Sequence, residues 1–131
     1  MANTVGRVVG IGGFFFRAKS PESLAMWYQD MLGVQITPKT YEDPPWRTEA
    51  GTTIFHPFSE DTRYFGDPSV GWMINFRVDD LDALVERLRA SGHQVDYEGD
   101  GEPFPNGRFA KLYDPEGHAI QLWEPGGVDP G

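Results

Sequence analysis

Apolar residues recur along this chain with two periods, and the change from one to the other marks its elements. Leu24, Trp27, Tyr28 and Met31 stand at i, i+3, i+4 and i+7, one face of a helix. Ser20-Pro21-Glu22 opens that helix with a hydroxyl cap, a proline at the first helical position and an acid in the first turn. Leu32 extends the face and Gly33 stops it. The spacing returns at Leu81, Leu84, Val85 and Leu88, with Asp79 or Asp80 as cap and Gly92 as stop.

The other apolar stretches predict strands. Val5 to Phe16 is rich in β-branched and aromatic residues, with glycines at 10, 12 and 13 where the strand bends or a neighbour comes close. Val34 to Thr37, Trp46 to Glu49, Thr52 to His56, Trp72 to Val78 and His93 to Tyr97 read as shorter strands. Pro57 to Val70 reads as a connector, Glu98 to Asn106 as an acidic loop, and Gly126 to Gly131 as a frayed tail.

Gly107 to Pro125 is the best-specified stretch. Arg108 to Tyr113 sets Phe109, Leu112 and Tyr113 against Arg108 and Lys111, and His118 to Glu124 carries Ile120, Leu122 and Trp123. Between them, Asp114-Pro115-Glu116-Gly117 has type I turn chemistry: an Asp that bonds its own downstream backbone, a φ-fixing Pro, and Gly at the fourth place.

The second half echoes the first. Arg17 and Arg77 each end a strand, Leu24 and Leu84 share an offset in the helix faces, and Gly33-Val34-Gln35-Ile36 aligns with Gly92-His93-Gln94-Val95. Gly51-Thr52-Thr53-Ile54 likewise aligns with Gly117-His118-Ala119-Ile120. Each half reads as strand, helix and three strands.

Two stretches then carry a family resemblance. SPESLAMWYQDMLGV resembles the first helix and following turn of the vicinal oxygen chelate superfamily, and LYDPEGHAIQLWEP resembles its closing hairpin. The superfamily includes glyoxalase I, bleomycin-resistance proteins and extradiol dioxygenases. With VDDLDALVERLRASG the resemblance spans nearly the whole chain. It implies an α+β fold of two βαβββ modules, about 5–58 and 70–125, within one domain over 1–131. The modules curl into a cup, commonly completed in a homodimer.

The resemblance also implies a place for a divalent metal, with ligands from the first and last strand of each module. Carried over by spacing, those positions fall on Gly13, Phe55, Met73 and Gln121. Glycine has no side chain, phenylalanine has no donor, and a thioether suits soft ions. The expectation is a chain that lacks the metal site and has no cofactor, although a one-residue slip or bulge would turn His56 toward the cup.

Composition narrows the field further. A formal charge of −9 argues against nucleic acid and anionic membrane as partners. No cysteine is present, which excludes disulfides and thiolate ligands. No apolar run approaches the ~18 residues of a membrane span, no secretory leader is recognisable at the start, and the expected location is cytoplasmic. Hydrophobic content of 39% suffices for a packed core, so disorder is excluded.

Candidate ligand-binding residues are Trp46, His56, Met73, Asn75, Phe109 and Gln121. Asn75 and Arg77 share a face with Met73 by alternation. Gln121 is either a solvent-facing strand residue or a hydrogen-bonding group in the cup. Trp46, Arg47, Phe109 and Trp123 suit a pocket wall or the core. His93 reads as a solvent-facing strand residue and His118 as the cap of a hairpin edge. Asp79, Asp80 and Asp82 read as helix-capping acids.

Two functions remain. In the first, the protein binds a small apolar or aromatic molecule in its cup without a metal. In the second, it is a metal-dependent lyase or dioxygenase resembling glyoxalase I, using His56 and Gln121.

Overall fold

The computed structural model describes residues 6–131. Val5, which begins the expected first strand, and the segment read for a leader lie partly or wholly outside the described residues. Helix α1 spans Pro21–Leu32, strand β1 Ile74–Arg77, helix α2 Leu81–Ala90, β2 Asp96–Tyr97, β3 Gly107–Tyr113 and β4 Ala119–Pro125. The four strands form one mixed sheet in the order β1-β4-β3-β2, with β1 parallel to β4 and the other pairs antiparallel. The architecture is α+β, a four-stranded open sheet with two helices.

The hairpin sets the register of everything else. Its turn pairs Lys111 with Gln121, Phe109 with Trp123 and Leu112 with Ile120. Strand β1 then aligns Asn75 with Gln121 and Phe76 with Leu122. Because side chains alternate across a strand, the sheet has two distinct faces. Ala110, Leu112, Ile120 and Leu122 face the helices and join Leu24 and Tyr28 of α1, Leu81, Val85 and Leu88 of α2, and Val95 in one buried cluster. Each fully buried leucine contributes about 1.5–3 kcal/mol. Phe109, Lys111 and Tyr113 project to the other face, so the grouping of Phe109 with Leu112 is corrected by the strict period of two.

Both helices end as their sequence implies. Gly33 sits at φ 70 and its N–H reaches the Gln29 carbonyl. Asp80 caps α2 by accepting from Ala83 N–H at 3.1 Å. The start of α1 differs from expectation. The Ser20 hydroxyl makes no capping bond. The cap comes instead from the turn of the hairpin, where the Glu116 carboxylate accepts from the N–H groups of Lys19 at 2.6 Å and Ser20 at 3.0 Å. A carboxylate there also complements the positive end of the helix.

Asp114 does comparable work inside. One of its oxygens accepts from the backbone N–H of Glu116 and His118, which closes the turn. The other accepts from the Tyr28 hydroxyl at 2.7 Å and lies 2.7 Å from His118 Nδ1. His118 is therefore buried, not an edge cap, and its ring stacks on Trp72. His93 is half-buried too: its Nε2 accepts from Trp27 Nε1 and the rings meet at right angles. The tail is held, not frayed, since Val128 N–H donates to the Pro105 carbonyl at 2.8 Å and Thr52 Oγ1 donates to Asp129.

The first half departs furthest from expectation. Its segments at 8–16, 34–37, 46–49 and 52–56 form no strand within this chain. A strand needs a ladder of backbone hydrogen bonds to a partner, and these segments make none, although β1 and β2 are the outer strands of the sheet. Val8, Phe15 and Phe55 are 90%, 91% and 88% exposed in consequence.

Candidate functional site

The face of the sheet turned away from the helices carries a row of polar and aromatic side chains. Asn75, Gln121 and Lys111 lie side by side across β1, β4 and β3, and Arg77, Trp123 and Phe109 form the next row. Asn75 Nδ2 donates to Gln121 Oε1 at 2.7 Å. Gln121 Nε2 donates to the Tyr64 hydroxyl at 2.9 Å and to Glu98 Oε2 at 3.1 Å. Tyr64 in turn donates its hydroxyl proton to Glu98 Oε1. Burial, and then the adjacent Glu98 carboxylate, push the Tyr64 phenol well above its ordinary value. Lys111 Nζ lies 4.1 Å from the Tyr64 ring centroid and donates to the Tyr64 carbonyl.

The second row is aromatic. Phe109 and Trp123 lie nearly parallel, 5° apart with centroids 6.2 Å apart, and Trp123 Nε1 donates to the Asn106 carbonyl. Arg77 reaches the Glu49 and Ala50 carbonyls at 2.8 and 3.4 Å and so ties the 46–50 segment to the sheet. On the helix side, Arg108 of β3 pairs with Asp82 of α2 at 2.8 Å, and its guanidinium brings the Asp82 carboxyl down to about 2. Asp82 is thus an anchor between helix and sheet.

The structure brings together three of the six candidate residues. Asn75, Gln121 and Phe109 share the open face. Met73 stands one residue before β1 and is half-buried. Trp46 lies against Phe76, whose neighbours are the helix-facing residues. His56 is exposed at the end of the 52–56 segment, its ring packed on Phe58, which in turn stacks on Tyr64. Tyr64, Glu98 and Lys111 were missed. Lys111 is readable from the hairpin, because the turn places it opposite Gln121. Tyr64 and Glu98 come from loops, whose placement no periodicity encodes.

The resemblance implies four positions for a metal. Gly13 and Phe55 lie on exposed segments outside the sheet, Met73 and Gln121 on or beside it. Among the described residues no three His, Asp or Glu side chains come together to hold a metal ion. The donor chemistry at these positions does not fit a hard divalent ion. An open groove of about 480 Å³ runs beside the face, lined in part by His93, Asp96, Glu98 and Lys111. No described helix is long and apolar enough to cross a membrane.

With this geometry in hand, the comparisons are direct. A family model for the glyoxalase-like domain matches residues 13–123. The chain belongs to that family, within the vicinal oxygen chelate superfamily. Its fold is similar to that of TnmS3, an antibiotic binding protein from Streptomyces sp. CB03234, with TM-score 0.59 and 20% identity over 91% of this chain and 98% of that one. The oxidase ChaP-H2 is similar at TM-score 0.50 and 19% identity, covering 87% of this chain and 91% of that one. A glyoxalase/bleomycin resistance protein from Streptomyces sp. CB03234 is 37% identical over 39% of this chain, which is 42% of that chain, at TM-score 0.34. No curated protein matched.

Proposed function

We propose that this protein binds a small apolar or aromatic molecule on the open face of its sheet, without a metal and without chemistry of its own. The observation that carries the reading is the linked row Asn75–Gln121–Tyr64–Glu98 beside the half-buried Phe109 ring, with the buried Trp123 ring parallel to it. Few convergent polar groups on an aromatic floor make a small-molecule site. The fold shared with an antibiotic binding protein supports a ligand of that size. The absence of a fitting donor set at Gly13, Phe55, Met73 and Gln121 supports binding over metal-assisted catalysis.

The proposal extends to assembly. A second copy of the chain supplies the partner edges that the 8–16 and 52–56 segments lack, and a homodimer completes the cup. The support is the run of exposed apolar side chains there, from Val8 to Phe15 and at Ile54 and Phe55. The experiment is elemental analysis of protein purified without a chelating tag, followed by calorimetric titration with nickel, zinc, manganese and iron(II). The expected result is no stoichiometric binding. Stoichiometric binding abolished by His56→Ala would replace this reading with a lyase or dioxygenase.

A further inference from the structure

A side chain of the protein itself is seated on the open face. Tyr64, from the connector over 57–70, places its hydroxyl between Gln121 and Glu98. Each group that a phenol offers is met there. Its proton goes to the Glu98 carboxylate, and its lone pair accepts from Gln121 Nε2 at 2.9 Å. Its ring meets the Lys111 ammonium at 4.1 Å and stacks on Phe58 at 12° with centroids 6.0 Å apart. Gln121 is itself aimed by Asn75. Asp61 and Arg63 of the connector are exposed, while Thr62, Tyr64 and Phe65 are half-buried, and of these Tyr64 is bonded to both Gln121 and Glu98.

We infer that Tyr64 is an internal stand-in, and that the external ligand is a phenol that takes its place between Glu98 and Gln121. The inference rests on the proposed binding site and narrows its ligand to one class. The selection follows from hydrogen-bond accounting. When Tyr64 leaves, a carboxylate oxygen and an amide N–H lose their partner. A hydrocarbon laid over them leaves the direct Gln121–Glu98 bond at 3.1 Å but strands Glu98 Oε1 and the second amide hydrogen, at the cost of their desolvation. An aryl ether satisfies the amide but brings no proton for the carboxylate. A ligand carboxylate meets Glu98 as a like charge. A neutral phenol satisfies both groups and keeps the contact with Lys111.

The test is calorimetric titration at pH 7 with 2-naphthol, 2-methoxynaphthalene and naphthalene. The proteins are the wild type, Tyr64→Ala, Tyr64→Phe and the double variant Tyr64→Ala/Glu98→Gln, each checked for folding by circular dichroism. Removing the internal competitor raises the apparent affinity for 2-naphthol by about tenfold in Tyr64→Ala, in proportion to the freed fraction of the site. Tyr64→Phe keeps the ring, loses its hydroxyl bonds and gives a smaller gain; it decides the question if Tyr64→Ala does not fold. 2-Naphthol binds about tenfold more tightly than its methyl ether, and Glu98→Gln removes that preference. Equal binding of all three compounds, with or without Tyr64, overturns the phenol inference and leaves the apolar site standing. Binding of none of them to any variant overturns the underlying site as well.

Discussion

The Tyr28 hydroxyl donates to the Asp114 carboxylate at 2.7 Å, across 86 residues of sequence, and so fastens α1 to the turn of the closing hairpin. The carboxyl side chain is wholly buried, and its other bonds go to the Glu116 and His118 N–H groups and the His118 ring. Burial, and then the Asp114 bond, keep the phenol protonated well above its ordinary range. Replacing Tyr28 with Phe leaves that carboxylate short of one donor. The expected loss is about 1.5–3 kcal/mol of unfolding free energy, the range for hydrogen bonds to charged groups, measured by urea denaturation.

Acid should loosen the link between α2 and the sheet. The Arg108 guanidinium, with help from Tyr97, lowers the Asp82 carboxyl from 3.8 to about 2. A group whose folded pKa is depressed stabilises the fold above its unfolded value and loses that contribution as pH falls through the folded one. The stability gap between wild type and Asp82→Asn should therefore be constant above roughly pH 5, shrink on acidification and close near pH 2. Urea unfolding across that range reads it directly.

Gly107 begins β3 at φ 128, and a Cβ there would lie 2.2 Å from the Glu124 carbonyl oxygen. Neither the backbone conformation nor the opposing strand accommodates a side chain. Gly107→Ala should cost at least about 1–3 kcal/mol. Its amide signals around Phe109 and Trp123 should move in NMR spectra, since these residues pair just inside the strained end.

Assembly can be read from a single substitution. Phe15 is 91% exposed within one chain and lies on a segment with no strand partner. Phe15→Asp should convert a dimer into a monomer in sedimentation velocity at micromolar concentration, with the far-ultraviolet spectrum of the helices retained. A wild-type protein that sediments as a monomer would remove the proposed dimer.

What the sequence made legible follows from the range of the interactions involved. The two helices are written locally: Leu24 and Tyr28, like Leu81, Val85 and Leu88, recur at the helical period and are buried. The hairpin register follows from the turn, so the pairing of Gln121 with Lys111 and of Phe109 with Trp123 was accessible. The strands expected at 5–16 and 52–56 were read from propensity, which does not say whether a segment will pair with a neighbouring strand. The capping of α1 by Glu116 joins residues far apart in sequence, which no local pattern announces. Tyr64 and Glu98 reach the site from a connector and a loop for the same reason. His118 looked like an edge residue because its burial depends on Trp72 and Phe16 folding over it.

The central claim is that the row Asn75–Gln121, with Phe109 beside it, receives a small molecule without a metal. The most direct measurement is NMR of the ¹⁵N side-chain amides of Asn75 and Gln121 during titration with 2-naphthol. The account predicts saturable shifts of both amides and of the Phe109 and Trp123 signals, while Leu112 and Ile120 on the helix side stay in place. Shifts confined to the groove at His93 and Asp96, or amides that move only when nickel is added, would contradict it.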